Sequence, residues 1–161
     1  MVHGMRNKFP AGTRPPRNHA FSLIEAVVIV SLVGIVAAFA VPRFTRVANY
    51  ARASEVVGLS ANLRNAAQVA HVQFLASGAH LSAAILEGKT VTLQNGYPDA
   101  KPSGIRNAVF DLEGFASNEG PDTVTFIKAG APSGEHCAVT YHAAPFASSA
   151  ASISNVETSG C

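Results

Sequence analysis

Acidic residues are missing from the first 24 positions of this 161-residue chain, and between Phe21 and Val41 Glu25 is the only charge of either sign. Cysteine is nearly absent too, with Cys137 and Cys161 the whole complement. Lys and Arg form no run. Beyond position 20 eight basic residues face ten acidic ones, a net charge of −2, which argues against a nucleic-acid surface. There is no Gly-x-Ser-x-Gly, no P-loop and no HExxH, so the common templates for hydrolysis and nucleotide chemistry have no foothold. The six histidines, His3, His19, His71, His80, His136 and His142, show no metal-ligand spacing; His136 and His142 fit two surface residues on one strand face. Asp99, Asp111, Asp122, Glu113 and Glu119 do not follow a calcium-loop spacing. The expectation is a non-enzyme without metal or cofactor.

What is present instead is one long apolar stretch. Phe21 to Val41 is Val, Ile, Leu, Ala and Phe with two Ser, Gly34 and Glu25, and Pro42 stops it. As a helix, these 21 positions span roughly 30 Å, the hydrocarbon thickness of a bilayer. No polar face is left to meet water, so the segment belongs in lipid or among other helices. A lone carboxylate in such a segment is costly unless paired, which makes Glu25 the most informative residue in the chain.

Upstream, residues 1–20 carry Arg6, Lys8, Arg14 and Arg17. A basic leader before an apolar run first suggests a signal peptide, but the small-residue stretch Ala37-Ala38-Phe39-Ala40 leads straight into Pro42 and a further amphipathic pattern. The junction that stands out is Ala20–Phe21. Ala20-Phe21-Ser22-Leu23-Ile24-Glu25, then the apolar run, Gly34 and Pro42, resembles the type IV prepilin signature. The match is specific over about residues 15–50. It departs from the family at Ala20, where Gly is usual; Ala is still small, so slower or enzyme-specific processing is expected. The resemblance implies that a prepilin peptidase cuts between Ala20 and Phe21 and that Phe21 becomes a methylated amino terminus. It also implies that Glu25 of an incoming subunit neutralises Phe21 of the subunit ahead, fixing the axial register of a helical homopolymer. Gly96-Tyr97-Pro98, then Cys137, Tyr141 and Cys161, is similar by short matches to mannose-sensitive haemagglutinin-type pilins.

The basic leader keeps the N-terminus in the cytoplasm by the positive-inside rule and sends the residues after Pro42 outward. In an oxidising compartment an even cysteine count reads as one disulfide, Cys137–Cys161, closing 25 residues and worth roughly 3–4 kcal/mol on the chain-entropy model. Two free thiols are the alternative.

Residues 1–18, with Gly4, Pro10, Gly12, Pro15 and Pro16, read as disordered, and Met5 is an alternative start. After Pro42, Val56, Leu59, Leu63, Ala67, Ala70 and Phe74 recur at helical spacing, with Arg64, Asn65, Gln68 and Gln73 off the stripe, and Ser77-Gly78 closes the helix. Bends are expected at Gly34 and Pro42. Thr90–Leu93, Thr123–Ile127, Cys137–His142 and, more weakly, Ala151–Val156 read as strands; Asn95-Gly96 is a turn, Gly96–Pro98 and Lys101–Gly104 a loop, and Ile105–Leu112 a short helix. Ser148–Ser154 is Ser/Ala-rich and also fits a surface loop.

The resulting division is a basic, cleaved leader (1–20), an apolar transmembrane or filament-core helix (21–42), an amphipathic helix of the head (43–77) and an antiparallel β-sheet head with a C-terminal disulfide region (78–161). The fold class is α+β, a long N-terminal helical spine with a small sheet packed on its C-terminal half. The leading functional expectation is a structural subunit of a type IV pilus for adhesion, attachment or motility, held in the inner membrane before assembly and then extracellular. Its partners would be further copies of itself, minor pilins and the peptidase, with no nucleic acid. A pseudopilin of a type II secretion or DNA-uptake system is the near alternative. A single-pass anchored binding protein that never polymerises is the distant one, and an enzyme comes last.

Overall fold

The computed structural model describes residues 21–161. The leader, the disorder expected over residues 1–18 and the Ala20 side of the cleavage junction lie outside the described residues. Contacts divide the chain into two compact units, one ending at Val41 and the other comprising Pro42–Cys161.

Helix α1 spans Leu23–Ala76. Ser22 caps its start, its Oγ accepting a 3.2 Å hydrogen bond from the Glu25 amide that would otherwise lack a partner. Gly78 ends it at φ +76°, with Ala79 N–H bonded to Phe74 O and Gly78 N–H to Leu75 O, a Schellman closure. The helix continues through both Gly34 and Pro42. Pro42 has no amide proton to give Ala38, and Thr45 Oγ1 donates to the Pro42 carbonyl at 3.1 Å.

In the second unit α1 buries the expected stripe, Val56, Leu59, Leu63, Ala67 and Ala70, while Phe74 is half-buried. A three-stranded antiparallel sheet, in order β1-β2-β3, is built from β1 (Ala83–Leu86), β2 (Lys89–Gln94) and β3 (Tyr97–Pro98). After helix α2 (Ile105–Ala108) comes a four-stranded antiparallel meander of β4 (Phe115–Glu119), β5 (Thr123–Lys128), β6 (Ala138–His142) and β7 (Ser152–Glu157). Thus the head is α+β as expected, with its strands in two sheets rather than one.

Alternation in β5 and β6 sends Val124, Phe126, Val139 and Tyr141 inward onto Val56, Leu59, Leu63 and Ala67. A smaller cluster packs Leu86 and Val91 of the first sheet around Ala70. Lys128 closes one side, pairing with Glu55 of α1 while its ammonium lies 4.7 Å from the Phe115 ring centroid.

Three strands differ from the sequence reading. Tyr97-Pro98, expected in a loop, pairs with Leu93 and Gln94 across a two-residue hairpin. Asn95 and Gly96 both have positive φ, the geometry of the turn that joins twisted strands most tightly. Proline is tolerated because β3 lies at the sheet edge, where no ladder donor is needed. β1 and β4 were not expected at all. Ala83-Ala84-Ile85-Leu86 and Phe115-Ala116-Ser117-Asn118-Glu119 carry little β-branched signal and are strands because neighbours pair with them. The helix expected over Ile105–Leu112 ends at Ala108. β7 holds one extra residue against β6 between Ser154 and Glu157, with Asn155 at φ +48°, a β-bulge.

Candidate assembly surface

In the first unit the described residues form an apolar helical segment whose large apolar side chains are exposed. The most apolar window of α1 has a mean hydropathy of 2.7 with none of it buried, so α1 is long and apolar enough to cross a membrane. Exposure is spread around the helix. Leu23, Ile24, Val30, Val36 and Phe39 are each more than 65% exposed, and Val27, Val28 and Ile29 about half, so no single face is turned inward. Its two hydroxyl groups, on Ser22 and Ser31, are engaged locally. Ser31 Oγ donates back to the Val27 carbonyl at 2.8 Å, which lets a hydroxyl sit in apolar surroundings. Around Gly34 a Cβ would meet nothing within 4 Å, leaving that surface open to a neighbour.

Glu25 occupies the first turn of α1, where a negative charge complements the helix dipole. Ser22-Leu23-Ile24-Glu25 has the form of a capping box, and its first half forms through Ser22 Oγ. Among the described residues no ion pair or side-chain hydrogen bond engages the Glu25 carboxylate. Phe21 precedes the helix and is 75% exposed. The exposed apolar segment and the carboxylate in its first turn therefore sit on one element, with Phe21 just before it.

At the other end of the chain Cys137 and Cys161 are bonded, S–S 2.02 Å with Cα atoms 4.8 Å apart, and both are buried in the head core. A 3₁₀ turn at Gly134–His136 leads into the bond. His136 therefore lies in that turn and not on the strand with His142, as the sequence reading had it. The C-terminal segment is stitched down by Ser133 N–H to Gly160 O and Gly160 N–H to His136 O. Gly160 is needed there because a Cβ would come within 2.6 Å of the His136 Cβ and as close to Ser133 O. Arg52 of α1, which the sequence reading did not single out, donates from Nη1 to the Cys161 carbonyl at 2.8 Å. The signal it offered was only a cation off the apolar stripe.

Several of the remaining titratable candidates are engaged in the fold. His71 stacks on Tyr97 with ring centroids 4.0 Å apart and contacts Gly96 O through Nδ1 at 3.0 Å. His142 Nε2 lies 2.6 Å from Ser154 Oγ. Glu119 pairs with Arg106 at 3.0 Å, and Asp111 accepts from the Glu113 amide at 2.8 Å. Asp99 is buried, with one carboxylate oxygen that meets no donor among the described residues. Among the described residues no three His, Cys, Asp or Glu side chains converge as a metal site would require; His3 and His19 lie outside them. Tyr141 donates its hydroxyl to the Pro98 carbonyl at 2.7 Å. Burial first, then the negative Asp99 and neighbouring Tyr97, push its phenol well above the ordinary value.

Comparison of the chain with protein-family models, with curated proteins and with solved structures finds no match.

Proposed function

We propose that this chain is a type IV pilin, a structural subunit that polymerises through its N-terminal helix after removal of the leader. One observation supports this above the others: an exposed apolar helical segment follows Phe21 and carries, as far as Val41, a single carboxylate, Glu25, in its first turn. Moving such a helix from lipid into a bundle of its copies changes little hydrophobically, since lipid is as apolar as Val. Close packing at Gly34, Ala37, Ala38 and Ala40, and pairing of Glu25 with a neighbour's terminal amine, supply the preference. Peptidase cleavage before Phe21 creates that amine, whose reference pKa of about 7.7–8.0 leaves it largely cationic at neutral pH.

On this reading the subunit waits in the inner membrane and its head, with the Cys137–Cys161 bond, ends on the outside of an extracellular filament. A pseudopilin shares the N-terminal features. An anchored binding protein shares the membrane helix but has no use for a carboxylate beside a newly made amine. The test is to shear filaments from cells producing the protein and identify their subunit by mass spectrometry. A pilin gives this chain with an N-terminal peptide that starts at methylated Phe21. Recovery of the chain solely from membranes, or with Met1 as its first residue, rules the proposal out.

A further inference from the structure

The head carries a cleft of about 320 Å³ between α1 and the edge of the four-stranded sheet, lined by Arg64, Ala67 and Gln68 of α1, Tyr97 of β3, Tyr141 of β6 and residues 150–153. Two larger hollows in the head carry carboxylates, Glu135 and Glu157 on the outer sheet face and Glu55, Asp111 and Glu113 beside Phe115. The cleft beside Arg64 has no acid among its lining residues. The ion pairs of the described residues, Arg106–Glu119 and Lys128–Glu55, leave Arg64 without a carboxylate.

We propose that this cleft binds a small carboxylate-bearing molecule with a flat or compact apolar body. A guanidinium presents a planar fork that matches a carboxylate with two parallel hydrogen bonds, the strongest polar contact available to an exposed side chain. The Gln68 amide and the Ser152 hydroxyl are the further donors on the lining. Half-buried Tyr97 and Ile153, with Ala67 and Ala151, supply apolar wall for the body of the ligand. The walls are pre-formed: Tyr97 is stacked on His71, and the hydroxyl of Tyr141 is already committed to Pro98 O. Binding therefore orders only the exposed Arg64, Gln68 and Ser152 side chains, against a wall that is already in place. A ligand with a positive group is disfavoured by Arg64, and a neutral one gains only the wall contacts.

The full chain, isotope-labelled in detergent micelles, is titrated with sodium benzoate at constant ionic strength and, separately, with benzyl alcohol as the neutral match. Saturable shifts at the Ser152 amide, the Gln68 side-chain amide and the Arg64 Nε–H are expected with benzoate. Arg64→Gln, an exposed and structurally mild change, is expected to weaken binding by about tenfold or more. Ala150→Phe, which fills the exposed rim, is expected to abolish it. Three results each overturn the proposal: no saturation at these groups, equal affinity for benzyl alcohol, or benzoate binding unchanged in either variant.

Discussion

Arg52 reaches across 109 positions of sequence to the Cys161 carbonyl, which it meets at 2.8 Å, while the same nitrogen is 2.8 Å from Asn49 Oδ1. The helix thereby holds the residue that the disulfide also holds, and the C-terminal segment is fixed from two sides. Removing the guanidinium leaves a part-buried carbonyl without its charged donor, which costs about 1–3 kcal/mol. Arg52→Ala is therefore expected to lower the thermal midpoint of the head by several degrees, with Arg52→Lys recovering part of the loss. An unchanged midpoint in the alanine variant would show that the bond contributes nothing.

The bond between Cys137 and Cys161 predicts a slow reduction. Both cysteines are buried, 0% and 4% exposed, so a reductant must wait for local opening. Intact mass after alkylation should show no labelled thiol without reductant, little with mild reductant, and two once denaturant is added. Loss of the bond should cost about 3–4 kcal/mol. In the double Cys137→Ala, Cys161→Ala background, Arg52→Ala should cost less than in the wild type, because its acceptor is no longer pinned. Additive losses would separate the two devices.

Tyr141 gives the head an alkaline limit. Its phenol is fully buried, hydrogen-bonded to Pro98 O and raised above the ordinary value of 10.0, so the folded state holds the proton more tightly than the unfolded one. Its stabilising contribution is complete below pH 10 and is lost as the pH rises beyond it, when the unfolded chain can ionise and the folded chain cannot. Ultraviolet titration should show the Tyr141 phenolate appearing only as the head unfolds. Tyr141→Phe should remove that late step and cost about 1–3 kcal/mol through the unpaired Pro98 carbonyl. Early, reversible ionisation of Tyr141 in the folded head would contradict this placement.

Legibility followed the physical origin of each element. Val56, Leu59, Leu63, Ala67 and Ala70 announce their buried face because helical periodicity is written within one segment. Thr90–Leu93 and Thr123–Ile127 announce strands through β-branched residues. β1 and β4 did not, because Ala83-Ala84 and Ala116–Glu119 become strands only through pairing with partners set by tertiary structure. His136 was misplaced for a related reason: the turn before β6 is imposed by the disulfide and by the Gly160 backbone, neither of which is local to it. The Arg52–Cys161 contact and the Arg64 cleft join residues distant in sequence, so no pattern along the chain could reveal them. Glu25 stands out in the sequence for the opposite reason, since a lone charge in an apolar run is a purely local anomaly.

Replacing Glu25 separates a polymer subunit from a membrane anchor. Glu25→Ala deletes the only carboxylate of the apolar segment, and the helix keeps its Ser22 cap because that bond uses the Glu25 amide rather than its side chain. Insertion into the bilayer should be unchanged or improved, since the segment becomes more apolar. An anchored binding protein therefore keeps its level, its location and its surface function. In a filament the change leaves a terminal amine at Phe21 without a counter-charge in a low-dielectric bundle, a loss of about 3–5 kcal/mol at each subunit contact. Repeated along a polymer, a loss of that size is enough to prevent growth. The expected outcome is a variant present in membranes at wild-type amounts that yields few or no sheared filaments from cells carrying it alone. Filaments at wild-type yield would refute the pairing of Glu25 with Phe21 and remove this residue from the assembly contact.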